Sequence, residues 1–498
     1  MATAERYAEA RAGTITFAVV DEAGRLHGYH AREVAPSASV LKAMLLVGYL
    51  RRDDVRNRPL EQWERDLLAP MIRRSDNAAA ARMVGLVGEA RLAALARVAG
   101  MEHFRLHWPI WGQSEITPRG QALFFSRIDR LVPPRHRRYA LRLLATIVPS
   151  QRWGVGQVPH EGWELYFKGG WGSGTGLVDH QVALYRAAGE RFSLALFTRF
   201  DPDHEYGKET LRGLAERLLR GVPAPGGHLP QAGRIAITRD AVITASPGCA
   251  AVTIRPSVGG KRTFATGAAT CSGFELASAG LHALWSWADG SDSHLATAGY
   301  GSPKRVDLGD FDSSDRLGSL AGNGETLAYA HGDDVSMVGG PDCPVRAAVL
   351  AIGGDRLAAG EGETVEILDP ASCAVERTLH SSGDVTAVAL DDGLVASLSQ
   401  GTAGRTWLEW FRISTGARLG KKEAAVATRP SLSVREPWVL YRTSHSIRVL
   451  AAGSGRAWTV WRPARPQLGA RLLGKRIAWA ENRDGKSFLW ALHLPTAD

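Results

Sequence analysis

The chain has 498 residues, of which 45% are hydrophobic and 22% are charged, a balance typical of a soluble globular protein. This length exceeds one ordinary core and predicts two or more domains. The net charge of +9 is spread along the chain without a nucleic-acid motif, so no nucleic-acid partner is expected. No run approaches the roughly 18 consecutive apolar residues of a membrane span.

Strand and helix patterns alternate in the first part of the chain. In order, they predict a helix over 3–11, strands over 14–20 and 25–30, helices to about residue 150 that include 79–87, 89–98 and 119–131, strands over 163–168, 181–185 and 192–197, and a helix over 205–219. Pro133-Pro134 is predicted to break the helical stretch. Strands from both ends predict one antiparallel sheet packed on helices, an α+β domain over residues 1–222.

The second part has a different rhythm. A Pro/Gly-rich linker is predicted over 223–232, and helical periodicity disappears beyond it. Short strands with Gly/Asp turns recur in six segments, 274–298, 316–338, 347–368, 385–413, 430–450 and 470–492, after a less regular one at 234–267. This repeat predicts an all-β propeller of six or seven blades over 233–498. A pair of β-sandwiches is the alternative, although sandwiches do not repeat at this period.

Ser39 and Lys42 stand three residues apart at the start of a predicted apolar helix. That spacing brings a hydroxyl and an amine to one face of the helix, where the amine can take the hydroxyl proton. Ser37 has Val40 at the same offset and no such partner. A plain helix start with a serine cap is the alternative. Residues 1–207 are rich in Arg but contain only two lysines, Lys42 and Lys168, which favours a role for titratable amines.

Three motifs in chain order resemble those of the penicillin-recognising serine hydrolases, specifically the class A β-lactamase and D,D-peptidase branch. Ser39-Val40-Leu41-Lys42 matches the first motif and Ser75-Asp76-Asn77 matches the second. Lys168-Gly169-Gly170 matches the third in part, at the end of a predicted strand. The resemblance spans roughly residues 3–222 and does not extend to the predicted propeller. It implies a β-lactamase-like fold.

The resemblance also implies roles for individual residues. Ser39 would be the nucleophile, Lys42 its base, Ser75 a proton relay to the leaving group, Lys168 a source of positive charge, and Asn77, Gly170 and Trp171 substrate-binding residues. The backbone N–H groups of Ser39 and Trp171 would hold the oxyanion. No cofactor and no metal are expected.

The sequence departs from the family at the third motif. Gly169 stands where the family carries a hydroxyl that helps to bind the substrate carboxylate. Four nearby residues are candidate substitutes for that hydroxyl: Ser173, Thr175, His180 and Arg186. Recognition of a carboxylate is therefore an open question at this point.

A second departure concerns hydrolysis of the acyl-enzyme. Class A β-lactamases carry a Glu in a loop before a Thr-Pro, and the loop before Thr117-Pro118 is short and lacks that motif. Glu115 lies only two residues before Thr117, and we interpret it as a surface carboxylate. Trp108 and Trp111 replace the missing loop, and lining of the cleft is one reading of them beside core packing.

The predicted function is a serine hydrolase that cleaves an amide or ester through an acyl-serine, more peptidase- or esterase-like than β-lactamase-like. Its substrate would be a small molecule, a peptide or a cell-wall-type compound, and the propeller would bind a protein or polysaccharide partner or position the enzyme. Two alternatives stay open. One is a true β-lactamase with a different deacylation base, and the other is a β-lactam or cell-wall sensor that does not turn over.

Cysteine usage bears on the compartment. Cys249, Cys271, Cys343 and Cys373 allow two disulfides with three possible pairings, which would fit an oxidising compartment, whereas four buried free thiols are about equally consistent. The printed N-terminus lacks a signal-peptide core. We expect an extracytoplasmic protein if the natural N-terminus carries a signal that is missing here, and a cytoplasmic one otherwise.

Overall fold

The computed structural model describes residues 1–172, 177–426, 431–443, 446–461 and 467–494. The chain divides into two compact units, Met1–Pro225 and Gly226–Asp498. Among the helices of the described residues, none has the length and apolar character needed to cross a membrane. Each unit is considered by itself below.

A five-stranded sheet with the order β2-β1-β7-β6-β5 forms the centre of the first unit. Its strands, together with the small pair β3 and β4, are β1 (Thr14–Val20), β2 (Leu26–Tyr29), β3 (Ala35–Pro36), β4 (Glu115–Ile116), β5 (Glu164–Gly172), β6 (Val178–Ala187) and β7 (Glu190–Arg199). β1 pairs antiparallel with β7, so the sheet joins the two ends of the unit. The predicted α+β domain with an antiparallel sheet is confirmed.

Helices pack around this sheet. They are α1 (Ala2–Glu9), α2 (Leu41–Leu50), α3 (Gln62–Arg73), α4 (Asn77–Val87), α5 (Glu89–Ala99), α6 (Pro118–Leu131), α7 (Pro134–Ala145) and α8 (His204–Leu219). Every residue of α2 is buried, which explains its uniformly apolar sequence. α7 begins at Pro134 because proline suits the first helical position, where its missing N–H costs nothing.

Side-chain caps fix the starts of the two helices that border the candidate site. The carboxylate of Asp76 accepts from the backbone N–H of Ala79 at 2.8 Å and caps α4. The hydroxyl of Thr117 accepts from the N–H of Gly120 at 3.0 Å and caps α6. These caps hold the chain segments that carry Ser75 and the loop before Thr117.

The second unit is made of short strands. They are β8 (Ala224–Pro230), β9 (Arg234–Ile237), β10 (Ala241–Ala245), β11 (Ala251–Pro256), β12 (Arg262–Ala265), β13 (Glu275–Ala279), β14 (His282–Asp289), β15 (Asp292–Gly299), β16 (Val306–Phe311), β17 (Leu317–Asn323), β18 (Thr326–His331), β19 (Asp334–Met337), β20 (Asp342–Cys343), β21 (Val349–Gly353), β22 (Arg356–Glu361), β23 (Thr364–Leu368), β24 (Val375–His380), β25 (Asp384–Leu390), β26 (Leu394–Gln400), β27 (Thr406–Arg412), β28 (Arg418–Glu423), β29 (Leu432–Arg435), β30 (Trp438–Arg442), β31 (Ile447–Ala451), β32 (Ala457–Trp461), β33 (Gln467–Leu473), β34 (Arg476–Arg483) and β35 (Lys486–His493). Within the described residues they form seven four-stranded sheets.

Six of these sheets take four consecutive strands each, beginning at β9, β13, β17, β21, β25 and β29, and the seventh has the order β33-β34-β35-β8. The first strand of each sheet contacts the first strand of the next, and β33 contacts β9. Each predicted repeat segment therefore falls on a separate sheet.

The predicted linker needs a correction. Residues 224–230, inside the segment 223–232, form β8 and lie beside β35 in the seventh sheet. β8 is an edge strand, and an edge tolerates proline because the missing N–H need not join a ladder. The cysteines of this unit pair as Cys249–Cys271 and Cys343–Cys373, which resolves the choice between disulfides and free thiols.

Candidate active site

Ser39 lies on a single 3₁₀ turn, Ala38–Val40, that leads into α2, and the residue is 9% exposed. Side chains three residues apart eclipse one another in 3₁₀ geometry, and Lys42 Nζ lies 2.8 Å from Ser39 Oγ. Ser37 is fully buried, and its hydroxyl donates to the carbonyl of Ala38 at 3.3 Å. The spacing argument therefore selects the serine that contacts the lysine.

Lys42 is surrounded by oxygen atoms and is fully buried. Besides Ser39 Oγ, its Nζ contacts the carbonyl oxygen of Ser75 at 2.5 Å, the hydroxyl of Ser75 at 3.1 Å and Asn77 Oδ1 at 2.7 Å. Burial lowers the pKa of Lys42 from 10.5 to about 7, and the nearby charge of Asp76 opposes that shift. The amine therefore changes its charge near neutral pH.

The contacts of Lys42 can be satisfied in both of its protonation states. A neutral amine has two N–H donors and one lone pair, whereas an ammonium has three donors and no acceptor. Two of the contacting oxygens, the Ser75 carbonyl and Asn77 Oδ1, can only accept. In the neutral form these take both N–H groups and the lone pair is free to accept from the hydroxyl of Ser39, whereas the ammonium form donates to Ser39 Oγ over the same 2.8 Å.

Lys168 lies on β5 and is 1% exposed. Its Nζ donates to Ser75 Oγ at 3.0 Å and to the carbonyl of Gly169 at 2.6 Å. Burial and the neighbouring Lys42 lower the pKa of Lys168 well below its usual range. The hydroxyl of Ser75 thus lies between the two amines, although Lys168 is 93 residues away in the chain.

Ser75 adopts a backbone conformation that non-glycine residues rarely take, with φ of 58°. This left-handed geometry brings both its carbonyl and its hydroxyl to Lys42. Such strain costs of order 1–3 kcal/mol and is found most often at functional sites. Asn77, two residues on, is exposed at the first position of α4.

Gly170 brings β5 against the nucleophile turn. A Cβ at Gly170 would lie 2.7 Å from the backbone nitrogen of Ser39 and 2.8 Å from that of Val40, closer than real Cβ contacts come. Only glycine therefore allows this approach of strand to turn. The next residue, Trp171, is half-buried, and its ring packs against Trp153 at 5.8 Å and His204 at 6.1 Å between centroids.

The candidate substitutes for the missing hydroxyl at Gly169 divide into two groups. A Cβ at Gly169 would meet the ring of Trp153 at 3.4 Å, so an indole covers this position. His180 is fully buried and contacts the backbone carbonyls of Pro36 and Asp179, and Arg186 lies 3.6 Å from the carboxylate of Asp129. Both are engaged elsewhere. Ser173 and Thr175 lie outside the described residues.

Glu115 has partners that the sequence analysis missed. Its carboxylate contacts His103 Nε2 at 2.9 Å and His107 Nε2 at 3.1 Å, and these hydrogen bonds, first that of His107, lower the pKa of Glu115. Its side chain is 28% exposed rather than a fully solvated surface group. The alternation His103-Phe104-Arg105-Leu106-His107, with polar residues on one side, was the available signal.

A second missed cluster lies beside Trp171. Asp179 is buried opposite Trp171 on β6, and its carboxyl contacts His204 Nδ1 at 2.7 Å. Burial, with the nearby Asp201, raises the pKa of Asp179 to about 8. No arrangement of three or more His, Cys, Asp or Glu side chains suited to a metal ion occurs in the described parts of the chain.

Comparisons with known proteins bear on the fold family of the first unit. Residues 62–222 match the family model described as the beta-lactamase enzyme family. The first unit contains a β-lactamase-like domain. The matched residues include Ser75, Asn77 and Lys168 and begin after Ser39 and Lys42. No protein of curated description matches the chain significantly.

Several solved structures are similar to the first part of the chain. A β-lactamase from Sphaerobacter thermophilus is 22% identical, covers 44% of this chain and 94% of its own, and has a TM-score of 0.40. A β-lactamase from Desulfarculus baarsii is 22% identical over 44% of this chain and 97% of its own, with a TM-score of 0.37. An ancestral class A β-lactamase is 20% identical over 44% and 96%, with a TM-score of 0.38.

Proposed function

We propose that the first unit is a serine hydrolase that cleaves an amide or ester through an acyl-serine intermediate. One observation carries the proposal. Lys42 Nζ lies 2.8 Å from Ser39 Oγ, and burial brings the pKa of that lysine to about 7. A hydroxyl beside a neutral amine has a base within hydrogen-bond distance at neutral pH.

Acylation would begin with proton transfer from Ser39 Oγ to the lone pair of Lys42 Nζ. Oγ forms a bond to the carbonyl carbon of the substrate, and the carbonyl π electrons move onto its oxygen. The backbone N–H groups of Ser39 and Trp171 would donate to that oxyanion, and Gly170 lets β5 come close enough to the Ser39 turn. Collapse of the intermediate then breaks the bond to the leaving group.

The leaving group needs a proton, and Ser75 is placed to deliver it. Its hydroxyl lies 3.1 Å from Lys42 Nζ and 3.0 Å from Lys168 Nζ. The proton held by Lys42 would pass to Ser75 Oγ while the Ser75 proton passes to the departing nitrogen or oxygen. Lys168 supplies a donor that holds the Ser75 hydroxyl, and the exposed Asn77 would hold a substrate amide.

Deacylation favours a peptidase- or esterase-like enzyme over a β-lactamase. Water attack on the acyl-serine needs a base, and the carboxylate of Glu115 is already bound by His103 and His107. We expect a penicillin to acylate Ser39 and the resulting acyl-serine to be hydrolysed slowly. Small acyl groups leave room for water beside Lys42, so simple esters should turn over faster.

Side-by-side labelling with a fluorophosphonate and a fluorescent penicillin tests the nucleophile. Peptide mapping should place both adducts on Ser39, and Ser39→Ala should abolish labelling while the melting temperature stays nearly unchanged. Ser37→Ala is the matched control, and this variant should still be labelled at Ser39. An adduct on any other serine would refute the assignment.

Turnover separates the alternatives. Intact-protein mass spectrometry after penicillin treatment should show an adduct stable for minutes, with negligible nitrocefin hydrolysis and measurable hydrolysis of a p-nitrophenyl ester. Rapid multiple turnover of nitrocefin would instead identify a true β-lactamase with another deacylation base. Absence of both an adduct and ester turnover would favour a sensor.

For the second unit we propose a seven-bladed propeller. Support comes from the seven four-stranded sheets among its described residues and from the contacts of their first strands, which run from β9 through β33 and back to β9. Its role would be to bind a protein or polysaccharide partner for the hydrolase. The two disulfides fit an oxidising, extracytoplasmic compartment. Calorimetric titration of the full chain with cell-wall fragments, compared with residues 1–222 alone, tests this role.

A further inference from the structure

A short loop next to the candidate site exposes large apolar side chains. We call residues 108–113 the tryptophan loop. Trp108 and Ile110 are each 65% exposed, a large fraction for apolar side chains of this size. Trp111 follows them and is half-buried. Exposed apolar side chains concentrated in one place indicate a surface that something apolar covers.

Ser114 fastens the tryptophan loop to the nucleophile turn. Ser114 is fully buried, its hydroxyl donates to the carbonyl of Trp111 at 2.7 Å, and it accepts from the N–H of His107 at 3.1 Å. The carbonyl of Ser114 in turn accepts from the N–H of Ser37 at 2.7 Å. Ser114 thus connects His107, just before the loop, with Trp111 inside it. It also attaches the loop to Ser37, which lies two residues before Ser39 in the chain.

Trp111 brings the loop to the reacting atoms. Its ring centroid lies 5.0 Å from Lys42 Nζ, within the range of a cation–π contact. The hydroxyl of Ser75, which would serve the leaving group, contacts the same Nζ at 3.1 Å. The same Nζ lies 2.8 Å from Ser39 Oγ, so the loop borders the atom that would carry the acyl group.

We infer that the tryptophan loop binds the acyl part of the substrate and selects an apolar one, such as a medium-chain or aryl acyl group. This inference rests on the proposed hydrolase function. Trp108 and Ile110 would cover the acyl chain, and Trp111 would form the floor nearest the nucleophile. Each methylene buried there should raise kcat/KM by about threefold to fourfold.

A chain-length series with the full chain tests the inference. We expect kcat/KM to rise from p-nitrophenyl acetate through butyrate to octanoate in the unmodified protein. The double substitution Trp108→Ala with Ile110→Ala should flatten that rise, through KM more than kcat, so that the loss of kcat/KM grows from acetate to octanoate. Val98→Ala is the matched control, because Val98 is 54% exposed on α5 and should leave the series unaltered.

Two further measurements keep this inference separate from the proposed function. Fluorophosphonate labelling of Ser39 should persist in the double variant, and calorimetric titration with octanoate and butyrate reports acyl binding without turnover. A wild-type protein that neither labels nor hydrolyses, yet binds octanoate through Trp108 and Ile110, would refute the hydrolase and keep the apolar site. An equal loss of kcat/KM for all acyl chain lengths in the double variant, or no loss, would overturn the inference. So would a changed oligomeric state with an unchanged ester preference, which would identify a self-association surface.

Discussion

The buried lysines of the candidate site and the buried Glu409 of the second unit have different kinds of partner. Among the described residues of the first unit, Lys42 and Lys168 make hydrogen bonds only with hydroxyl, carbonyl and amide oxygens. In the second unit Glu409 is equally buried but lies 2.7 Å from Arg418 and accepts from Ser382. Within the part of the chain that the structure describes, no carboxylate accepts a hydrogen bond from the two amines, whereas Arg418 neutralises the negative charge of Glu409.

The pKa directions show what this difference does. Burial would raise the pKa of Glu409, but hydrogen bonds from Ser382, with those of Arg418 and Ser399, outweigh it, so the pKa lies below its usual 4.5. Burial lowers the pKa of Lys42 to about 7 because uncharged oxygens compensate a cation poorly. Its partners thus keep Glu409 in the charged form at neutral pH, whereas a buried amine without a carboxylate partner is ready to exchange a proton.

The largest expected effect comes from Lys42→Arg, which keeps the charge and removes the base. Arginine is not deprotonated in proteins, so the acylation rate should fall by at least about 10². The time course of fluorophosphonate labelling measures it. Lys168→Arg is the matched control and should lose less rate, because Lys168 donates hydrogen bonds to Ser75 and Gly169 and arginine is also a donor. Near-normal rates in Lys42→Arg would make Lys42 purely structural.

Substitution of Ser75 should separate activity from stability. Ser75→Ala and Ser75→Gly both remove the relay hydroxyl, and amide acylation should fall by about 10-fold to 10²-fold in each. Glycine adopts a φ of 58° without strain. The free energy of unfolding of the Gly variant should therefore exceed that of the Ala variant by about 1 kcal/mol. Thermal melts and single-turnover kinetics give both values. Equal stabilities would contradict the strained backbone.

The pH profile should follow Lys42. The base form increases as pH rises through the pKa of about 7, so acylation should be about tenfold faster at pH 8 than at pH 6 and then level off. Labelling rates measured across this range show the sign directly. Lys42→Arg should lose the dependence. A rate that falls with rising pH would mean that the reactive form is the ammonium.

Glu409→Gln should affect stability alone. Loss of the charge-assisted hydrogen bonds should lower the unfolding free energy of the second unit by about 1–3 kcal/mol, without changing the labelling of Ser39. Because the folded pKa of Glu409 lies below 4.5, its contribution is present above that pH and is lost on acidification. Denaturant unfolding at pH 7 and pH 4 should therefore show a smaller difference between variant and wild type at the lower pH.

The smallest effect is expected from separation of the units. Each unit has its own compact set of contacts, so residues 1–222 alone should fold and label at Ser39 like the full chain. Circular dichroism and labelling of both proteins provide the comparison. An insoluble or unreactive fragment would show that the second unit completes the first.

Local sequence determined much of this protein, because local patterns act over a few residues. The Ser39–Lys42 offset, the Asp76 and Thr117 helix starts and the repeated short strands each follow from neighbours in the chain. The predicted helices over 79–87, 89–98 and 119–131 are confirmed as α4, α5 and α6, with small shifts at their ends. Side-chain periodicity and capping suffice for such elements.

Tertiary structure decided what depends on distant residues. Only in the folded chain does Lys168 donate to the hydroxyl of Ser75, and only there does Ser75 adopt a left-handed conformation. The contacts of Glu115 with two histidines and the strand formed by 224–230 likewise depend on distant parts of the chain. The disulfide pairs do so too. Apart from the alternation around His103 and His107, these features lack a local signature, because burial and packing against remote segments set both the strain at Ser75 and the pKa of Lys42.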